Sequence, residues 1–141
     1  MIKKASAIWK GGIKDGGGTI STGTGVLEDV HYSFTSRFAV GKGTNPEELI
    51  GAAHAGCFSM ALSKMLGDAG LTAEKIETHA AVTLEKVGEG FEITSSHLDV
   101  TAKIPGADQA KFEEIANKAK ADCPVSKLLR AKITMNAKLE S

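Results

Sequence analysis

Residues Gly43–Gly70 read GTNPEELIGAAHAGCFSMALSKMLGDAG, and this stretch decides the fold. It opens with helix-start chemistry. Asn45 stands at the N-cap, Pro46 at the first helical position, and Glu47 and Glu48 where the helix dipole favours negative charge. No breaker interrupts it before Leu66, and Gly67 and Gly70 close it. Leu49, Ala53, Cys57, Met60 and Ala61 line one flank, and Ile50, Phe58, Leu62 and Met65 the other. A helix apolar on both flanks is expected to be buried on nearly all sides. One of only two cysteines, Cys57, sits in its middle.

Working outward, the residues before this helix read as strands joined by glycine turns. Ala5–Lys10 is short and alternating, Asp15-Gly16-Gly17-Gly18 is a hairpin signal, and Thr19–Leu27 is rich in threonine and β-branched residues. Tyr32–Val40 alternates aromatic and polar positions, which predicts a strand with Arg37 on one face. Residues 41–44 read as a loop into the helix.

Beyond Gly70, Ile76–Val87 and Phe91–Ile104 flank the turn Gly88-Glu89-Gly90. Pro105-Gly106 stops the second strand. Asp108 then caps a helix with Phe112, Ile115, Ala116 and Ala119 on one face. Asp122-Cys123-Pro124 interrupts that helix and restarts it, and Lys132–Leu139 alternates as a last strand. Strands, long helix, strands, helix, strand is an α+β order. The sheet that one such chain supplies is too modest to cover so apolar a helix, so a second copy related by two-fold symmetry is expected over its other face.

The totals exclude several classes. At 141 residues the chain is expected to form one domain, 1–141, since typical domains hold roughly 100–150 residues. Lysine plus arginine (17) balances aspartate plus glutamate (17), so no net field directs it to nucleic acid or an acidic membrane. The start, MIKKASAIWKGG, lacks the apolar core of a signal peptide, and the central stretch carries Gly51, His54 and Gly56, which argues against a span. A cytoplasmic protein is expected. In a reducing compartment a permanent disulfide is disfavoured, so Cys57 and Cys123 are either redox-active or inert buried thiols.

Geometry separates the candidates further. An apolar mid-helix setting raises a thiol pKa, so Cys57 needs a fixed cation nearby to become a nucleophile. Cys123, at an N-cap before Pro124, is the thiol that the dipole favours as thiolate. Glu48 can close a capping box onto Asn45, which leaves Glu47 free for another duty. Glu47 and Cys57 lie ten residues apart, about 15 Å along an unbroken helix. Either the helix breaks near Gly51, or one of them meets its partner across a dimer interface. Arg37, if it points inward, needs a carboxylate, and Glu47 is a candidate; otherwise it is a solvated strand arginine. His54, one turn before Cys57, could join Cys57 and Cys123 as metal ligands, but the chain has no CxxC or HExxH. His31, His79 and His97 read as strand or surface positions. No Gly-Lys-Ser/Thr follows the glycine cluster, and Ser59 and Ser63 lack the strand–turn setting of an activated serine.

Asn45-Pro-Glu-Glu-Leu-Ile-Gly-Ala-Ala-His-Ala-Gly-Cys57-Phe-Ser-Met-Ala-Leu62, together with Cys123-Pro-Val-Ser126, resembles the OsmC/Ohr family of thiol peroxidases, and the OsmC branch of it. The likeness runs over essentially the whole chain, including Trp-Lys-Gly-Gly near its start. The resemblance implies an OsmC-like fold, with antiparallel sheets around a long central helix, in an intertwined homodimer with sites at the subunit interface. It implies reduction of organic hydroperoxides, and more weakly of hydrogen peroxide, with no cofactor and no metal. It assigns Cys57 as the peroxidatic cysteine, Cys123 as the resolving one, Arg37 as the activating cation and Glu47 as its orienting carboxylate. A dithiol reductant, small or carried on a lipoyl-type protein, would reopen the disulfide. Phe58, Met60 and Phe38 are expected as apolar walls. The competing reading is a non-catalytic stress or small-ligand-binding protein whose thiols are merely buried.

Overall fold

In the computed structural model, which describes residues 1–38 and 43–140, the elements run β1 (Ala5–Lys10), β2 (Gly17–Thr22), β3 (Val30–Tyr32), α1 (Phe34–Phe38), α2 (Pro46–Asp68), β4 (Lys75–Val87), β5 (Gly90–Lys103), α3 (Gln109–Asp122), α4 (Pro124–Leu128) and β6 (Lys132–Glu140). The order is α+β, with two three-stranded sheets, β1-β2-β3 and β4-β5-β6. Two compact units divide the chain, Met1–Leu49 and Ile50–Ser141. The expected wall residue Phe38 has a side chain outside the described set, as do Ala39 and Val40 of the expected strand.

In the first unit β1 and β2 pair antiparallel around the turn, and β3 adds to β2. Trp9 and Tyr32 meet edge to face, with centroids 5.4 Å apart and planes at 62°. Gly18 lies beneath them, because a Cβ there would come within 2.6 Å of the Tyr32 ring and 2.3 Å of the Ile8 carbonyl oxygen. Over its described part, as far as Phe38, the expected strand beyond Tyr32 does not form. The chain leaves the sheet after Tyr32 and turns into α1. Ser33 and Ser36 are the reason: the Ser33 amide donates to Ser36 Oγ at 2.8 Å, and the Ser36 amide to Ser33 Oγ at 3.3 Å. Such reciprocal capping outweighs the alternation of aromatic and polar side chains.

Asn45 caps α2 as its position requires, its Oδ1 accepting from the Glu48 amide at 2.8 Å. The helix then runs without interruption from Pro46 to Asp68, so it does not break near Gly51.

In the second unit β4 and β5 form a long antiparallel hairpin with an irregularity at Thr83/Leu84. β6 pairs with β5 in parallel, so this sheet is mixed where antiparallel pairing was expected. The cause is the crossover: α3 and α4 carry the chain back across the sheet before β6 begins, which a tight turn cannot do. Phe58, Leu62 and Leu66 of α2, Leu98, Val100 and Ala102 of β5, and Phe112, Ile115, Ala116 and Ala119 of α3 form the core. Each fully buried large side chain contributes about 1.5–3 kcal/mol relative to exposure.

The second face of α2 is open among the described residues. Ala52, Ala53, Gly56 and Ser63 are exposed there, and Met60 is 77% exposed. One face is thus buried by the chain itself, and the other is the face on which a second copy was expected. By length and composition α2 is also apolar enough to cross a membrane, contrary to the sequence reading, because its charges (Glu47, Glu48, Lys64, Asp68) lie near the ends. The central helix of any folded core has the same character, and this one buries His54, Phe58, Leu62 and Leu66 in its own unit.

Candidate active site

Two thiols meet in the second unit. Cys57 is half-buried on α2, and Cys123 is fully buried at the joint between α3 and α4. Cys123 ends one helix through its amide, which donates to the Ala119 carbonyl at 3.0 Å, and caps the next through Sγ, which accepts from the Ser126 amide at 3.4 Å. Pro124 at the first helical position needs no amide partner, which is why the chain can turn so tightly here. Cys123 is a near neighbour of the Cys57 thiol, and both cysteines are free. Burial pushes the Cys57 thiol above its ordinary pKa. A hydrogen bond from the Val125 backbone opposes that, and the neighbouring Cys123 reinforces it. Within its own unit, then, Cys57 is a poor thiolate, as an apolar helix position requires.

A line of buried hydroxyl and imidazole groups leads away from Cys123. Its Sγ lies 3.1 Å from Ser126 Oγ, Ser126 Oγ lies 2.8 Å from His54 Nε2, and His54 Nδ1 lies 2.7 Å from Ser96 Oγ. Burial lowers the His54 pKa, so the ring is neutral and has one donor and one acceptor nitrogen. Both ring nitrogens are spent on serines, which leaves His54 no lone pair for a metal in this arrangement. Among the described residues no three His, Cys, Asp or Glu side chains gather as a metal-holding group. Sequence reasoning gave Ser96 and Ser126 no part. The signal for Ser126 was present, since it stands three residues after the capping Cys123.

Arg37 and Glu47 meet in the first unit. Arg37 is on α1 rather than on a strand, and its Nε and Nη2 lie 3.0 and 2.9 Å from Glu47 Oε1. Glu47 is 8% exposed, and its Oε2 is buried with no partner among the described residues. Glu48 is exposed and serves the cap through its amide, not its carboxylate, so the capping box expected of it is only half made. A cavity of about 140 Å³ opens beside the pair, lined by Trp9, Ile13, Tyr32, Ser33, Phe34, Arg37 and Pro46. Of the expected walls, Phe58 is fully buried in the core and cannot line an open pocket, and Met60 lies on the exposed face of α2.

The structure thus brings together Cys57 with Cys123, and Arg37 with Glu47. Glu47 and Cys57 are ten residues apart on one unbroken helix, a rise of about 15 Å.

The model of the family described as "OsmC-like protein" matches residues 39–138. The chain belongs to the OsmC family. Over 139 residues it is 55% identical to peroxiredoxin OsmC of Escherichia coli (strain K12), covering 99% of this chain and 97% of that protein. The crystal structure of the organic hydroperoxide resistance protein OhrB of Bacillus subtilis superposes on this OsmC-family chain with a TM-score of 0.68 at 27% identity, covering 97% and 98% of the two chains. An OsmC-like protein from Mycoplasma pneumoniae shares the OsmC fold with a TM-score of 0.78 at 15% identity, over 100% and 99% of the chains.

Proposed function

We propose that this OsmC-family chain is a two-cysteine peroxidase that acts on organic hydroperoxides, and more weakly on hydrogen peroxide, with Cys57 as the attacking thiol. A peroxide-reducing role in stress defence is its function at the coarser level. The observation that carries the finer reading is that the side chains of the two free cysteines are neighbours in one unit.

In this reading the Cys57 thiolate attacks one peroxide oxygen, the O–O bond breaks, and the alcohol leaves. Cys57 is then a sulfenic acid. Cys123 attacks its sulfur, water leaves, and a Cys57–Cys123 disulfide remains for a dithiol to reduce, whether small or carried on a lipoyl-type protein. Arg37 supplies the cation that Cys57 lacks, and Glu47 orients it. The unbroken α2 supports delivery of that pair from a second copy of the chain. A homodimer would also cover the exposed face of α2. The mostly apolar lining around Arg37 suits an alkyl group better than a bare peroxide.

We take 1–141 as one functional domain, since α2 is shared by both units, and place it in the cytoplasm, where two free thiols persist. The competing reading, a ligand-binding protein with inert thiols, draws on the raised pKa of Cys57. Consumption of tert-butyl hydroperoxide with a dithiol separates the two. Cys57→Ser should abolish turnover, and sustained turnover by that variant would end the peroxidase assignment.

A further inference from the structure

The mechanism above leaves three buried polar groups without a task. Ser126, His54 and Ser96 run as a continuous hydrogen-bonded line from Cys123 Sγ, with steps of 3.1, 2.8 and 2.7 Å. His54 and Ser96 are fully buried and Ser126 nearly so. A merely structural need at Ser126 could be met by its backbone amide, which already donates to the Cys123 sulfur. The side-chain hydroxyl makes a further connection, since it stands between a thiol and an imidazole.

We infer that Ser126 and His54 form a proton relay that activates Cys123 for its attack on the Cys57 sulfenic acid. The inference rests on the reading of Cys123 as the resolving cysteine. Ser126 is the group that touches the reacting sulfur, and His54 is a positioning residue that acts through it. One orientation of the line serves the step. The Cys123 S–H donates to Ser126 Oγ, the Ser126 O–H donates to His54 Nε2, and the Nδ1–H of His54 donates to Ser96 Oγ. As Cys123 Sγ bonds to Cys57 Sγ, its proton passes to Ser126 and the serine proton passes to His54. The S–O bond of the sulfenic acid breaks, and its hydroxyl leaves as water with one proton, which the imidazolium can return. One disulfide and one water result, and no external oxidant enters. Ser96 holds the tautomer that keeps Nε2 able to accept.

Burial fits the task, since it keeps the imidazole neutral and so able to accept at neutral pH. The groups facing the ring are Ser96 from β5 and Ser126 from α4, and the other titratable groups of the cluster are the two thiols.

The test follows disulfide formation in a single turnover. Reduced protein without reductant receives one equivalent of tert-butyl hydroperoxide, and sulfenic acid and disulfide are trapped with time between about pH 6.5 and about 8. Ser126→Ala and His54→Gln are compared with the unaltered chain. Glutamine retains hydrogen-bonding capacity but cannot relay a proton as imidazole does. Both variants should slow disulfide formation about tenfold or more and accumulate sulfenic acid. Their rates should rise with each pH step, whereas the unaltered chain stays nearly flat. Rates and pH profiles like those of the unaltered chain, or a slowing equal at every pH, would overturn the relay. The same step in the unaltered protein should slow in heavy water, and no slowing there overturns it even if both variants fail to fold. Sulfenic acid that persists in the unaltered protein with no Cys57–Cys123 disulfide formed would instead remove the resolving role on which the relay rests.

Discussion

Arg37 grips a single oxygen of Glu47 with two nitrogens, Nε at 3.0 Å and Nη2 at 2.9 Å from Oε1. The carboxylate is nearly buried, while the guanidinium side chain is 41% exposed. Such a pair holds the arginine in one pose rather than adding much stability, because solvent screens its outer half. Removal of the cation is the harsher cut, since it leaves a buried carboxylate without its counter-charge. Arg37→Ala should therefore destabilise the chain by about 1–3 kcal/mol in urea denaturation, and more than Glu47→Gln does. It should also raise the Cys57 pKa and slow peroxide reduction roughly 10²-fold. An unchanged thiolate titration would show that something else activates Cys57.

The buried imidazole gives the fold a pH dependence with a definite sign. Burial lowers the folded-state pKa of His54 below its ordinary 6.5. Above that value both folded and unfolded chains hold it neutral, and it changes nothing. Below it the unfolded chain takes up a proton that the folded chain resists, so stability falls as pH falls. The urea midpoint should drop from about pH 6.5 downward. His54→Asn should start lower and lose this part of the slope; the same slope in that variant would place the titration elsewhere.

Two positions on α2 separate folding from assembly. Leu62 is fully buried in the core, and Met60, two residues before it, is 77% exposed. Leu62→Ala should cost about 2–5 kcal/mol of stability in urea. Met60→Lys places a charge where a second copy is expected and should act on association instead. Sedimentation of the unaltered chain should give about twice 14.7 kDa at micromolar concentration, and the Met60 variant a lighter species. A monomer in both would remove the dimer.

The long helix was legible because its signals were local and agreed with one another. Asn45 as cap, Pro46 behind it and an unbroken apolar run to Leu66 left α2 no alternative. The Gly88–Gly90 turn and the Asp108 cap were clear for the same reason. Tyr32–Val40 misled because its alternation mimicked a strand, while the deciding feature was a pair of serines at capping distance. The parallel pairing of β6 depends on where α3 carries the chain, and no residue of Lys132–Glu140 encodes that. At the site, the cysteine pair and the Arg37–Glu47 pair were anticipated by residue type and resemblance. The Ser96–His54–Ser126 line was not, because its members lie 42 and 72 residues apart in pairs and meet only through burial.

The most direct measurement treats the reduced protein with one equivalent of tert-butyl hydroperoxide, then maps its peptides by mass spectrometry without reduction. One product is expected, the peptide containing Cys57 joined by a disulfide to the peptide containing Cys123. Cys57 overoxidised or untouched, with Cys123 still a free thiol, would contradict it.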